Sequence, residues 1–202
     1  MSTANMPLPA RTPLSGRQYT IGAGGYEATV ASVGATLREL SFSGRPLILG
    51  FGADEIRPGH RGALLAPWPN RVIGGRYTFD GVSHLLALTE PDKGHAIHGL
   101  VQWLDWEIMD SDAEAVSLRT VVQATEGYPF RLEVSVRYRV SPQGLHTELT
   151  ARNTGKTAAP YGASVHPYFV APGNPDSWRV TLAADRVLTA DETLAPKDLV
   201  DV

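Results

Sequence analysis

The sequence predicts an all-β protein, built as a β-sandwich or a large curled sheet. Apolar residues recur with a period of two along most of the chain, which is the period of a strand with one buried face. Turn residues separate these runs at short intervals, and the chain contains 20 Gly and 15 Pro. No window shows the apolar pattern and capping residues of a long amphipathic helix. These observations together predict antiparallel strands joined by turns.

The clearest predicted strand is FRLEVSVRYRV, residues 130–140. Its apolar and aromatic side chains, from Leu132 to Val140, point to one face, while Arg, Glu and Ser point to the other. A turn composition follows at residues 141–144, and the alternation resumes over residues 145–151. The two runs are therefore predicted to pair as a hairpin.

The other predicted strands are short runs flanked by turn residues. They cover residues 18–23, 26–33, 36–42, 76–79, 83–88, 106–111, 115–123 and 179–188. The turns between them include Gly24-Gly25, Ser43-Gly44 and Asp80-Gly81. No internal repeat or low-complexity linker divides the chain. Residues 16–202 are therefore predicted to form a single β-sandwich domain.

The N-terminal segment, MSTANMPLPARTPLSGR, contains three prolines and no apolar core of a signal peptide. We expect residues 1–15 to form a flexible leader. No apolar run reaches the length that spans a bilayer. The sequence thus predicts a cytoplasmic protein with no membrane partner.

The amino-acid composition limits the classes of function that the protein can have. A chain of 202 residues with 43% hydrophobic and 19% charged residues suits one soluble domain. Its 18 basic and 21 acidic residues give a net charge of -3, which argues against nucleic acid as a partner. Because the chain has no cysteine, disulfides, thiolate–zinc sites and cysteine nucleophiles are excluded.

The loop APWPNR, residues 66–71, is the first candidate site. Its two prolines predict an extended, stiff backbone around Trp68, from which Asn70 and Arg71 project. An amide and a guanidinium suit the binding of hydroxyls or a carboxylate. From the residues alone, a structural ion pair of Arg71 and a core position for Trp68 are the simpler interpretation.

The loop GHAIHG contains His95 and His98. As metal ligands, two histidines at this spacing would require a helix and a third ligand, and the flanking glycines argue against a helix. We therefore predict no metal site. For His95, the default expectation is a loop histidine that hydrogen-bonds the backbone.

The loop GASVHPYF, residues 162–169, is the third candidate site, and the sequence predicts a strand before it. Pro167 favours an extended His166, and Tyr168 adds flat apolar surface beside it. A histidine placed in this way can give or take a proton near neutral pH. A core histidine that bonds a backbone carbonyl is an equally good interpretation of this loop alone.

Taken together, these motifs resemble the aldose 1-epimerase (galactose mutarotase) family. The order is PWPNR, then GRYTFDG, then EP followed by HAIHGL and two tryptophans, then HPYF. Each motif alone is weak evidence for the family, but the four motifs in this order are specific. The resemblance covers the chain from about Gly34 to its last residue. The sequences PWPNR and HGLVQW are most similar to those of the bacterial branch that includes sulfoquinovose mutarotases.

The resemblance implies a large antiparallel β-sandwich with a sugar cleft, and an isomerase that uses neither metal nor cofactor. Asn70 and Arg71 match the sugar-binding pair, and His166 matches the general acid. His98 matches the family histidine before glycine, which implies a catalytic and a sugar-binding role. Tyr168 lies in the sugar-lining segment. Ring opening needs a proton on the ring oxygen while the C1 hydroxyl loses one, so a histidine acid facing a carboxylate base suits this chemistry. The implied partner is a small-molecule sugar.

The sequence departs from the family in one respect. Family members continue further, and their carboxylate base lies near the C-terminus; Asp191, Glu192, Asp198 and Asp201 lie too early to match it. The chain is therefore expected to be a fragment, the N-terminal two-thirds of the family domain, with a protein that has lost its base as the alternative. A non-catalytic carbohydrate-binding β-sandwich is the second functional hypothesis.

Overall fold

The computed structural model describes residues 11–202, and regular structure in this part of the chain consists almost entirely of strands. They are β1 (Gln18–Ala23), β2 (Tyr26–Ala31), β3 (Thr36–Phe42), β4 (Arg45–Pro46), β5 (Ala63–Leu65), β6 (Arg71–Ile73), β7 (Arg76–Phe79), β8 (Val82–Leu85), β9 (His95–Ile97), β10 (Glu107–Ser111), β11 (Ala115–Val122), β12 (Leu132–Ser141), β13 (Gly144–Asn153), β14 (Ser164–His166), β15 (Arg186–Ala190) and β16 (Pro196–Asp201). Within residues 11–202 a single 3-10 turn is present, at Pro175–Ser177. The predicted all-β class is confirmed.

Two four-stranded antiparallel sheets form the framework, one in the order β1-β2-β3-β4 and the other in the order β10-β11-β12-β13. Strands β1 and β2 pack against β11, β12 and β13, so apolar side chains of both sheets fill the space between them. The remaining strands pair in twos: β5 with β14, β6 with β9, β7 with β8, and β15 with β16. Two of these pairs, β5–β14 and β6–β9, carry the candidate site.

Strand β12 confirms the clearest sequence prediction. Its alternate residues Leu132, Val134, Val136, Tyr138 and Val140 are all buried, while the residues between them are partly or fully exposed. The predicted hairpin with β13 is also present, and its register closes at the pair Ser141 and Gly144.

Other boundaries differ from the prediction. Strands β4, β5, β6, β9, β14 and β16 were not predicted. In β5 and β9 every residue is buried, so these strands lack the alternation that predicts a strand. The predicted strand 179–188 is wrong over residues 179–185, which are exposed and belong to no strand of the described part; β15 begins only at Arg186.

The predicted leader, residues 1–15, lies mostly outside the described residues. At its end, Ser15 is buried, and its Oγ donates to the carbonyl of Ala53 at 2.7 Å. The domain boundary at residue 16 stays a prediction. Within residues 11–202 no helix is long and apolar enough to cross a membrane.

Tyr138 links β12 to the opposite sheet. Its buried hydroxyl donates to the carbonyl of Ala35 at 2.8 Å, and burial raises the pKa of the phenol. Tyr138→Phe removes the donor and leaves a buried carbonyl without this partner, so the free energy of unfolding should fall by about 1–2 kcal/mol. Urea unfolding measures this, with Tyr19→Phe as the control because Tyr19 only packs against the edge of the core. An equal loss in both variants would contradict the assignment.

Candidate active site

Asn70 and His98 are brought together by the pairing of β6 with β9. The antiparallel register pairs Arg71 with Ile97, so Asn70, just before β6, faces His98, just after β9. The amide of Asn70 donates to His98 Nδ1 at 3.1 Å, and the amide of His98 donates to the carbonyl of Asn70 at 2.9 Å. Both residues have left-handed φ, 57° and 64°. The extended backbone predicted for this loop is therefore wrong at Asn70, because a turn replaces it.

These bonds determine the protonation of His98. Because Nδ1 accepts a hydrogen bond, the neutral ring carries its proton on Nε2, which is then a donor. Burial, together with the neighbouring His60 and His166, lowers the pKa of His98 to about 4. His98 is thus a neutral hydrogen-bond donor at physiological pH.

His166 reaches the same place from the other strand pair. It ends β14, opposite Ala63 of β5, and its carbonyl accepts from the amide of Gly62 at 2.9 Å. Its ring lies edge-on to His98, with centroids 5.2 Å apart. The ring of Tyr168 stacks on it at 5.3 Å, and Tyr168 is 38% exposed. His166 is therefore in contact range of a buried histidine and of an exposed aromatic ring.

Arg71 makes the structural ion pair that the sequence left open. Its Nε and Nη2 donate to the two oxygens of Glu90 at 2.6 and 2.8 Å. These bonds raise the pKa of Arg71 and lower that of Glu90. Arg71 Nη1 also donates to Asn70 Oδ1 at 3.1 Å. This third bond ties Arg71 to Asn70, which lies beside His98.

His95 stays apart from this group. It is buried on β9; its Nδ1 accepts from the amide of Gly74, and its Nε2 lies 3.3 Å from the hydroxyl of Thr193. The expected backbone hydrogen bond is confirmed, although His95 lies on a strand instead of a loop. In the described part of the chain, no group of three His, Cys, Asp or Glu side chains is placed to hold a metal ion.

Sequence reasoning missed His60. Its ring centroid lies 4.4 Å from that of His98 and 5.7 Å from that of His166, so three imidazoles meet at one point. The only signal in the sequence was its place in a short, glycine-flanked loop, Gly59-His60-Arg61-Gly62. We call His60, His98 and His166 the histidine cluster. Trp68 belongs to the core side of its loop, where it is partly buried near Tyr128.

The low pKa of His98 predicts a loss of stability in acid. Between pH 6.5 and 4 the unfolded chain binds a proton at His98 that the folded chain does not, so the free energy of unfolding falls as the pH falls. The pKa shift from 6.5 to about 4 corresponds to a contribution of roughly 3 kcal/mol by pH 4. Solvent screens it little, because His98 is only 7% exposed. His98→Asn, which tolerates the left-handed φ, should remove this part of the pH dependence. Urea unfolding from pH 7 to 4 measures it, and parallel curves for the two proteins would contradict it.

Comparisons with known proteins identify the family of this chain. The sequence model of the aldose 1-epimerase family matches residues 17–202. The chain is 37% identical to the uncharacterized protein YihR of Escherichia coli, over 92% of this chain and 61% of that protein. It is 29% identical to galactose mutarotase of Rattus norvegicus, over 85% of this chain and 53% of the enzyme. The chain thus spans only about half to three-fifths of the length of these relatives.

Solved structures show the same fold. A GalM/aldose epimerase homologue from C. elegans superimposes with a TM-score of 0.78 at 24% identity, over 92% of this chain and 61% of that one. Galactose 1-epimerase from Lactobacillus acidophilus gives 0.78 at 22% identity, over 91% and 58%. The fold is therefore of the galactose mutarotase type, and the match to the family model shows that the chain belongs to the aldose 1-epimerase family.

Proposed function

We propose that this protein is an aldose 1-epimerase, which interconverts the α and β anomers of a free hexose or a related aldose. One observation carries the proposal: His98 and His166 lie with their rings 5.2 Å apart, and the bonded pair Asn70 and Arg71 borders His98. These are the residues that the family resemblance selects. They come from two separate strand pairs, so their meeting is a property of the fold and not of one loop.

In the proposed reaction, His166 is the general acid. It donates a proton to the ring oxygen as the bond between that oxygen and C1 breaks, while the C1 hydroxyl loses its proton to a base. Rotation about the C1–C2 bond and reclosure then give the other anomer. His98, through Nε2–H, and the donors of Asn70 and Arg71 hold sugar hydroxyls, and Tyr168 borders the sugar. Fixed in this way, the ring oxygen stays within reach of His166.

The base is assigned to no residue in the described part of the chain. Glu90 is the carboxylate whose charge acts on both His60 and His98, but Arg71 occupies both of its oxygens and lowers its pKa, which makes it a weak base. Asp191 is also unsuited, because its Oδ1 accepts bonds from Thr193 and Ala195, which lower its pKa.

A non-catalytic carbohydrate-binding protein is the second candidate, and the engagement of Glu90 favours it. Anomer-exchange NMR with freshly dissolved α-galactose, α-glucose and α-sulfoquinovose separates the two functions. We expect exchange faster than in buffer, and sulfoquinovose as the fastest substrate would support the branch predicted from PWPNR and HGLVQW. Saturable binding of a sugar without acceleration of anomer exchange would support the binding protein instead of the enzyme.

Arg71→Ala tests the sugar-binding role against the purely structural one. We expect at least tenfold weaker sugar binding, about 1.4 kcal/mol, with cooperative unfolding retained, because Glu90 is partly exposed and can be rehydrated. Arg76→Ala, which removes an exposed arginine on β7, is the charge-matched control. Calorimetric titration and circular dichroism measure both properties. An unfolded Arg71→Ala protein would instead support the ion pair as the role of Arg71.

A further inference from the structure

His60 holds a fixed place in the histidine cluster. Its ring meets His98 edge-on, at an interplanar angle of 75°, and lies tilted against His166 at 45°. On the neighbouring residue, Gly59, a side chain would come within 3.2 Å of the hydroxyl of Tyr168, so the loop lies directly beside the Tyr168 ring. His60 is thus in contact range of both histidines to which the proposed function gives roles.

Gln102 fixes the tautomer of His60. Its Oε1 lies 2.8 Å from His60 Nδ1 and 3.4 Å from Arg57 Nη2. Because the guanidinium can only donate, the oxygen and not the amide nitrogen of Gln102 must face these two groups. An oxygen acceptor requires a proton on Nδ1. Neutral His60 therefore carries its proton on Nδ1, and its Nε2 carries none.

Arg57 anchors this arrangement. It is buried, donates to Thr36 Oγ1 at 2.6 Å and to the carbonyl of Gln102 at 2.8 Å, and its guanidinium lies 4.3 Å from the ring centre of Trp103. Burial lowers its pKa to about 10, so it remains charged at neutral pH. Burial lowers the pKa of His60 despite the bond to Gln102, and the charges of His166 and Arg57 add to the effect. His60 is therefore kept neutral.

We propose that His60 is a positioning residue of the site, held in one tautomer by Gln102 and Arg57, whose ring sets the placement of His98 and His166. The inference rests on the proposed function, because it acts through the two histidines of that site. With His60 and His98 both neutral, the acid role stays with His166, the histidine that the family resemblance selects for it. His60 itself donates no proton to the sugar; it positions the histidine that does.

Imidazole NMR of the ¹⁵N-labelled 202-residue protein tests the placement without substrate. At pH 7 we expect His60 neutral with its proton on Nδ1, and His98 neutral with its proton on Nε2. In Gln102→Leu the acceptor is lost, so His60 should shift towards the Nε2–H tautomer. An imidazolium or an Nε2–H tautomer of His60 in the unmodified protein would overturn the proposal.

The variant His60→Ala tests the action on the neighbouring histidines. Removing the ring admits water to His98 and reduces its burial, so the pKa of His98 should rise from about 4 towards 6.5. The kcat of anomer exchange should fall about tenfold or more with KM little changed. His146→Ala, which removes an exposed histidine on β13, should change neither.

Unchanged His98 titration and kcat in His60→Ala would overturn the positioning role. Gln102→Leu leaves the ring in place, so it decides the question if His60→Ala fails to fold. If the unmodified protein does not accelerate anomer exchange, the proposed function fails. The imidazole spectra then still decide whether Gln102 holds His60 in the Nδ1–H tautomer.

Discussion

Replacing His166 with alanine is expected to lower the rate of anomer exchange by about 10²–10⁴-fold, because the variant has no group to protonate the ring oxygen. His166 is only half-buried at the end of a short strand, so the free energy of unfolding should change little. Sugar binding should persist through Asn70, Arg71 and His98. Exchange NMR at saturating sugar measures the loss.

His146→Ala is the control for this experiment, because His146 is exposed on β13, away from the cluster. It should keep the full rate. A His166→Ala protein that exchanges anomers as fast as the unmodified protein would remove His166 from the mechanism, whatever the sugar affinity.

Replacing Gly99 with alanine is expected to destabilise the fold strongly. Gly99 has φ +74°, and an added Cβ would lie 2.1 Å from the carbonyl oxygen of Ala66. The left-handed backbone alone costs a non-glycine residue about 1–2 kcal/mol, and here a backbone carbonyl must also move. We expect a loss above about 2 kcal/mol in the free energy of unfolding, and displacement of the adjacent His98.

Gly81→Ala is a matched control for this effect. Gly81 has φ +77°, but an added Cβ there would meet no atom within 4 Å. The two variants therefore share the conformational cost and differ only in the steric overlap. Urea unfolding compares them, and equal losses would show that the approach of Ala66 to Gly99 is not tight.

Much of the framework was predictable from the sequence because its strands have one buried face. Strand β12 and its hairpin show this most clearly, since alternation and turn chemistry specify the same register. Strands β5 and β9 were not predictable in this way, because they are three residues long and buried on both faces. Their pairing partners, β14 and β6, are distant in sequence, and no local pattern encodes such pairing.

The candidate site was predictable to the extent that its residues lie in recognisable motifs. Asn70, Arg71, His98 and His166 were selected by motif resemblance, and the structure places them at the ends of two strand pairs. His60 was not, because its contacts with Gln102 and His98 join loops 42 and 38 residues away. For Arg71 the sequence predicted only some structural ion pair as an alternative. It did not identify Glu90, because Glu90 lies 19 residues away along the chain.

The central claim is that one sugar occupies the space bordered by His98, His166 and Tyr168. Intermolecular nuclear Overhauser effects between galactose and the isotope-labelled protein test it most directly. We predict contacts from the C–H protons of the sugar to the ring protons of these three residues. Contacts confined to another surface, such as the exposed ring of Trp103, would contradict the account.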